Sequence, residues 1–212
     1  MSNEFGYIPE SPEQSFGNNK GIFTPTDIYD LTRADKYTNY GQLELIETQT
    51  LTNSLTLDFT SIKESEYNVH LIVMQNVGYQ AQAQAYKWQF YESGVLESAT
   101  VYHWANQGGT VGGTFYQDRS TGDSGIRIDN TTSQAIRMNC YTYFYNLGDS
   151  SKYSSSTQHW FNERSNATVS GFAFGSGVLP QASTVNGIRF LCTGSTNLTS
   201  GTFSLYGIKE YS

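Results

Sequence analysis

Histidine and cysteine are the residues of this chain with the greatest potential for metal binding or nucleophilic chemistry. The three histidines, His70, His103 and His159, lie on three separate predicted strands, and no HxH or HExxH spacing relates them. A zinc site needs three or four converging ligands, whereas Cys140 and Cys192 fall on predicted core faces. We therefore expect no metal site. We interpret the two cysteines as buried thiols of a protein made in a reducing cytoplasm, not as a disulfide.

Acidic residues could support sugar hydrolysis or calcium binding, so their spacing is the second chemical signal. Glu44 and Glu47 are three apart in a predicted strand and point to opposite faces, whereas Glu64 and Glu66 lie in a predicted turn. Three aspartates in or near one polar stretch lack the spacing of a calcium loop: Asp118, Asp123 and Asp129. No serine has the GxSxG spacing, and the glycines match no phosphate or dinucleotide loop. We expect no catalytic residues, no cofactor and no enzyme activity.

Aromatic residues make up 15% of the chain, and three tyrosines recur at every second position: Tyr141, Tyr143 and Tyr145. They alternate with the predicted core residues Ile136, Met138, Cys140 and Phe144, so we place them on the opposite face of one strand. Such a row is typical of a subunit interface, and the alternative is a surface that stacks on sugars. The long polar stretch 106–125 is predicted to be a loop, either a plain surface loop or a ligand-binding one.

These residues must be positioned by strands, because apolar residues recur with a period of two from Gln42 onward. The predicted buried positions, segment by segment, are Leu55, Leu57 and Phe59; Val69, Leu71 and Val73; Tyr86, Trp88 and Phe90; Ile188, Phe190 and Cys192; and Phe203 and Leu205. About nine to eleven such segments, separated by turns rich in Gly, Asn and Ser, predict antiparallel strands. The expected fold is all-β: an antiparallel, jelly-roll-like β-sandwich over residues 41–212.

Residues 1–40 differ from the rest, since they hold three of the four prolines and scattered apolar residues without a strand period. One short helix is predicted near 26–36, capped by Thr24 or Thr26. A segment of this composition does not bury enough apolar surface to order itself, so we predict an extended attachment arm. Six apolar residues are its predicted partner-anchoring positions: Phe5, Tyr7, Ile8, Phe16, Ile22 and Phe23.

Charge and composition narrow the classes of partner. The net charge of −7 argues against nucleic-acid binding, which needs clustered Lys and Arg, and against adsorption to anionic membranes. No apolar run approaches the length of a membrane span. The chain begins MSNEFGYIPE, without the basic and apolar regions of a secretory signal, so we expect synthesis in a cytoplasm.

Two segments carry a resemblance to a known group of proteins. The stretch NGIRFLCTGSTNLTSGTFSLYGIKEYS, residues 186–212, resembles the ending of many virion structural and tail-fibre-like proteins of marine tailed bacteriophages. The stretch GIFTPTDIYDLTRADKYTNYGQLELIET, residues 21–48, is similar to a short module near the start of such proteins. The segments FYNLGDSSKYS and FGSGVLPQAS also have the general look of this group. The resemblance implies a phage particle component and supplies no catalytic residues.

We therefore expect a non-enzymatic virion structural protein, made in the cytoplasm of the infected host cell and located in the virion. Its expected partners are other virion proteins: capsid, portal or tail components. We also expect a homo-oligomer, with a trimer suggested by analogy with fibres. The alternative function is a carbohydrate-binding module on the virion surface that recognises a host surface glycan.

Overall fold

The computed structural model describes residues 14–15, 18–19, 24–34, 42–79, 85–128, 135–164, 170–195 and 197–209. The chain divides into two compact units, Met1–Gln42 and Leu43–Ser212. The first contains two paired short strands, β1 (Gln14–Ser15) and β2 (Asn18–Asn19), and a helix, α1 (Pro25–Arg33). This helix is too short to cross a membrane, and the described residues contain no other α-helix.

The predicted cap explains where α1 begins. The Thr24 hydroxyl accepts a hydrogen bond from the Asp27 backbone N–H at 3.2 Å, and the Asp27 carboxylate accepts one from the Thr24 backbone N–H at 2.8 Å. This capping box, with Pro25 in the first turn, satisfies backbone donors that the helix itself leaves unpaired. The hydrogen bonds to Thr24 lower the pKa of Asp27. The helix ends at Arg33, before the predicted end near residue 36.

The second unit consists of strands. They are β3 (Leu43–Leu51), β4 (Thr56–Phe59), β5 (Val69–Tyr79), β6 (Tyr86–Glu92), β7 (Val95–Leu96), β8 (Tyr102–Thr110), β9 (Phe115–Asp123), β10 (Ile126–Arg127), β11 (Ala135–Tyr145), β12 (Tyr153–Arg164), β13 (Gly171–Ala182), β14 (Val185–Cys192) and β15 (Leu198–Ile208). A short 3-10 turn, Thr193–Ser195, lies between the last two.

Two antiparallel sheets form from these strands. One has eight strands in the order β3-β15-β5-β11-β12-β13-β8-β9, and the other has five, in the order β10-β6-β14-β4 with β7 beside β6. The chain passes from one sheet to the other repeatedly, and the apolar faces of the sheets pack together as a sandwich. The all-β, jelly-roll-like β-sandwich predicted from the alternation is confirmed.

Aromatic rings from both sheets fill the core. Trp88 of β6 contacts Phe144 of β11 and Phe190 of β14, with ring centroids 5.2 and 4.9 Å apart. Phe190 in turn contacts Phe203 of β15 at 5.0 Å. The Trp88 indole N–H donates to the Thr142 hydroxyl at 3.2 Å, so its polar atom has a partner inside the core. Cys140 and Cys192 are buried thiols, as predicted.

The buried face of β5 was predicted wrongly. His70, Ile72 and Met74 point into the core and are at most 1% exposed, while Val69 and Val73, predicted as core residues, lie on the outer surface of the sheet. Leu71 also lies on that outer surface, where it is opposite Tyr143 and 6% exposed. Because both faces of β5 carry apolar residues, alternation alone does not identify the inner one.

The stretch 106–125 is not the predicted loop. Most of it belongs to the hairpin of β8 and β9. The paired residues run from Gly109 with Phe115, next to the turn, to Tyr102 with Asp123 at the far end. Its many glycine, glutamine and serine residues conceal the strands because this hairpin has few apolar side chains. The prediction of a loop is therefore wrong for most of this stretch, and its ligand-binding role stays a prediction.

Candidate binding face

Most of the exposed aromatic side chains of the described residues lie on the surface of the eight-stranded sheet that faces away from the other sheet. We call this surface the aromatic face and define it by Phe115, Phe161, Phe172, Phe174, Tyr141, Tyr143, Tyr145 and His159. Phe115 is 75% exposed and Phe174 is 53% exposed. Exposed apolar patches of this kind usually mark a contact with another molecule.

The predicted tyrosine row is part of this face. Tyr141, Tyr143 and Tyr145 follow one another along β11, with ring centroids 6.0 Å apart for the first pair and 6.5 Å for the second. The Tyr141 hydroxyl is 3.1 Å from Nδ1 of His159 on β12, and the Tyr145 hydroxyl is 3.2 Å from the Thr157 hydroxyl. These cross-strand hydrogen bonds hold two of the three tyrosine side chains in place.

The phenylalanines of the aromatic face were not identified from the sequence. Phe172 and Phe174 alternate along β13 with small residues, and the small residues face the core. A side chain on Gly175 would overlap the Asn106 amide, and one on Gly177 would overlap Ile126. Side chains of β8 and β10 thus lie so close to the inner side of β13 that only glycine fits there. Because side chains alternate along a strand, the phenylalanines between these small residues point to the outer surface. The available signal was the regular GxAxGxG spacing at residues 171–177.

A buried polar network explains why this inner side is so crowded. The Gln158 amide donates to the Asn106 side-chain oxygen and to the Arg127 backbone carbonyl, at 3.1 Å each. Asn106 also donates to that carbonyl at 2.9 Å, and the Trp160 indole N–H donates to the Ile128 carbonyl at 2.6 Å. The network attaches β10 to the inner surface of β8 and β12, which directly supports the aromatic face.

Two depressions lie side by side on the aromatic face. The first, with a volume of about 680 Å³, spans β5, β11 and β12, and the second, with a volume of about 740 Å³, spans β13, β8 and β9. His159 and Phe174, on the adjacent strands β12 and β13, are register partners at the boundary between them. The two depressions therefore adjoin and together span six neighbouring strands.

Each depression combines rings with polar side chains. Around the first lie Tyr141, Tyr143, Phe161 and His159, with a floor from β5 and two amide side chains, Gln75 and Asn139. Around the second lie one ring and four polar side chains that point outward: Phe174, Gln107, Gln117, Arg119 and Ser176. The Asn139 side-chain oxygen accepts a hydrogen bond from the Asn76 backbone N–H at 3.0 Å, which fixes the orientation of that amide.

The predicted anchoring residues cannot be placed, since Phe5, Tyr7, Ile8, Phe16, Ile22 and Phe23 all lie outside the described residues. In α1, Ile28 and Leu31 share a face, and neither is buried. The role of the N-terminal segment therefore stays a prediction.

The acidic residues considered for calcium binding have positively charged neighbours where they are described. The Asp123 carboxylate accepts hydrogen bonds from the Lys87 ammonium, from the Trp104 indole N–H at 3.0 Å and from the Ser124 backbone N–H at 2.7 Å. Burial by itself raises the pKa of Asp123, but the hydrogen bonds from Lys87, Trp104 and Ser124, together with the charge of Lys87, outweigh burial and lower it. Asp118 lies 3.8 Å from the Arg127 guanidinium. Asp129 is outside the described residues.

Three of the other acidic candidates also have positively charged or polar partners. Glu44 is 2.9 Å from the Lys209 ammonium, Glu66 is 3.5 Å from Lys63, and Glu47 accepts a hydrogen bond from Gln49 at 2.8 Å. Among the described residues, no three His, Cys, Asp or Glu side chains are grouped closely enough to hold a metal ion.

Comparisons with known proteins give little. No family model and no curated protein matches the chain. A crystal structure of A. japonicus CB05 matches with 10% identity and a TM-score of 0.35, over 81% of this chain and 27% of that chain. The structure of the infectious bursal disease virus Gx strain matches with 13% identity and a TM-score of 0.12, over 77% of this chain and 41% of that chain. This chain thus spans less than half of the length of either.

Proposed function

We propose that this protein is a non-enzymatic structural component of a tailed-phage virion, attached through its N-terminal segment to the tail or the capsid. The observation that carries a role in contact with other molecules is the aromatic face, whose rings stay exposed on a sandwich with a well-filled core. The virion as the setting is supported by the resemblance of residues 21–48 and 186–212 to virion structural proteins of marine phages.

The proposed partners are capsid, portal or tail proteins, together with further copies of this chain, since virion parts are built with symmetry. The two units of the chain suggest a division of labour. Residues 1–23, with their separated aromatic anchors, would bind a neighbouring virion protein. The aromatic face of the β-sandwich would then contact a further molecule.

The experiment is a deletion of residues 1–23 in the virus that encodes the chain. We expect the shortened protein to be soluble and folded but absent from purified particles, because the anchors Phe5, Tyr7 and Phe16 are removed. Replacing Asn18 and Asn19 by serine is the matched control and should leave incorporation unchanged. Normal occupancy of the shortened protein in particles would refute attachment through this segment.

The number of copies per particle distinguishes a location on the capsid from one on the tail. A capsid decoration should be present in hundreds of copies, whereas a tail or fibre part should be present in about six to eighteen, because tail symmetry allows only small multiples. Quantitative mass spectrometry of purified virions, with the major capsid protein as the internal reference, measures this number. Absence of the chain from virions would contradict both placements.

A second candidate function is recognition of a host surface glycan. It is favoured by one specific observation, which is that amide side chains lie beside the exposed rings in both depressions. Binding sites for small polar ligands usually combine aromatic surface with a few well-placed polar groups. This function is compatible with a place on the virion, since a fibre part both attaches and recognises.

A further inference from the structure

We infer that the aromatic face binds an extended, predominantly neutral polysaccharide that occupies both depressions. The polysaccharide would cross six neighbouring strands in the order β5, β11, β12, β13, β8 and β9. The inference deepens the second candidate function by naming the ligand class and its path. It depends on the virion proposal only for the location of the polysaccharide on a host surface. Binding by the isolated chain is a separate property.

The shape of the face favours a chain over a single small ligand. The two depressions adjoin, and the middle strands of the two, β11 and β8, are three strand steps apart in the sheet. At about 4.8 Å a step, their centres are about 14 Å apart. A single sugar does not reach both, whereas a linear chain of several sugars covers both.

The rings provide stacking surfaces at both ends of this path. A pyranose has one apolar face of C–H groups, which packs against the negatively polarised face of an aromatic ring. Tyr141, which is 45% exposed, serves the first depression, and Phe174, which is 53% exposed, serves the second. The hydrogen bond between the Tyr141 hydroxyl and His159 limits the motion of the Tyr141 ring, so less side-chain entropy is lost on binding.

The polar side chains match the hydroxyl groups of a sugar. Gln107 and Gln117 are register partners on β8 and β9 and offer amide donors and acceptors beside Phe174. Gln75 and Asn139 do the same beside Tyr141. A side-chain amide can donate to one hydroxyl and accept from its neighbour, as adjacent hydroxyls on a pyranose require. A neutral chain fits best, because the lining of the two depressions includes one cation, Arg119, and one carboxylate, Asp118, so their formal charges cancel.

The arrangement is less suited to a protein partner. The centre of a protein interface is usually apolar, with polar groups at its rim. Here polar side chains accompany the rings in each depression. One row of register partners crosses the face from strand to strand, and it mixes amide side chains with rings: Gln117, Gln107, Phe174, His159 and Tyr141.

The test is binding of the purified full-length chain to linear neutral oligosaccharides on a glycan array, from disaccharides to hexasaccharides. Soluble dextran, mannan, laminarin and xylan are then used in affinity electrophoresis. We expect at least one series to bind, with affinity that rises with length as the second depression becomes occupied. Phe174→Ala and Tyr141→Ala should each weaken binding about tenfold, because each removes one stacking surface.

The matched control is Tyr153→Ala. Tyr153 is 55% exposed on the same side of the sheet but lies outside both depressions, so its removal should leave affinity unchanged. All three variants should stay folded, with melting temperatures within about 4 °C of the parent chain, because losing one cross-strand side-chain pair costs about 0.2–1 kcal/mol.

Three results would overturn the inference. The first is no binding to any oligosaccharide or polysaccharide tested, and the second is binding that both ring substitutions leave unchanged. The third is an oligomer of the parent chain, measured by light scattering, that Phe174→Ala and Tyr141→Ala dissociate, since the aromatic face is then an interface between copies. If the purified chain binds a polysaccharide but is absent from purified virions, only the virion proposal is contradicted.

Discussion

Gly177 on β13 provides the sharpest test of how the aromatic face is supported. Replacing it with alanine places a methyl group against Ile126, overlapping Cγ2 and lying 2.8 Å from Cγ1. Ile126 has no exposed surface, and the buried polar network holds its strand, β10, in place, so the isoleucine side chain has little room to move.

The magnitude follows from two opposing effects. Overpacking a tight core costs about 1–3 kcal/mol. Alanine also restricts the unfolded chain, which returns about 0.4–1 kcal/mol. We therefore expect Gly177→Ala to lower the free energy of unfolding by about 1–2 kcal/mol. For a domain of this size, that corresponds to a fall in melting temperature of about 2–8 °C.

Urea unfolding followed by tryptophan fluorescence measures this loss, because Trp88, Trp104 and Trp160 are all buried. The control is Gly122→Ala in β9, where the nearest atom to the new methyl group would be 3.5 Å away, so its stability should equal that of the parent or exceed it by up to about 1 kcal/mol.

A second substitution tests the cause of the loss. In an Ile126→Ala background, Gly177→Ala should cost less than it does alone, because the overlapping atoms are gone. Equal stability of Gly177→Ala and the parent chain would refute the packing of β10 against β13. Full additivity of the two substitutions would refute Ile126 as the obstacle.

Three further predictions concern buried or capping groups. The pKa of His70 is lowered, because burial of the ring lowers it more than the hydrogen bond to the Ile62 backbone carbonyl raises it. Because the unfolded chain takes up this proton near pH 6.5 and the folded chain resists it, stability should fall as the pH drops below about 6.5. The urea midpoint of His70→Leu should vary less over that range, and an equal pH dependence would contradict the assignment. Cys140 and Cys192 should react with Ellman's reagent only after unfolding, and fast labelling of the native chain would show that the core opens. Thr24→Ala should speed amide exchange at Asp27 about fivefold, because the capping hydrogen bond is lost, whereas Thr24→Ser should not.

The sequence is informative where one face of a strand is apolar and the other is not. Met138, Cys140 and Phe144 of β11 are buried and Tyr141 is exposed, as the alternation predicts. The helix cap was equally predictable, because Thr24, Pro25 and Asp27 act on backbone groups within a few residues.

Prediction failed where the partner strand decides the outcome. In β5 both faces are apolar, and Val73 lies outside because its neighbour there is Tyr141, a contact set by strand order. The hairpin of β8 and β9 lacks a regular apolar alternation because most residues of β9 are polar or glycine. At Gly207 of β15 the absent side chain leaves room for the ring of Tyr67, a long-range contact that alternation does not reveal.

The aromatic face could be predicted only in part for the same reason. The tyrosine row is local to one strand and is visible in the sequence. The phenylalanines lie on β9, β12 and β13, and their presence on one surface depends on register pairs between strands, such as Phe161 with Phe172.

The strand order has a mechanical consequence. Leu43 and Ile208 are register partners at one edge of the eight-stranded sheet, whereas β9, at the rim of the second depression, forms the other edge of that sheet. Seven strand steps separate these edges, about 34 Å along the sheet. A force between Leu43 and a molecule held at β9 would act across the strands, along the ladder hydrogen bonds, and would enter β3 at its first residue. It would therefore open the β3–β15 ladder from the Leu43–Ile208 end, one pair at a time, so this edge of the sheet would yield first under load.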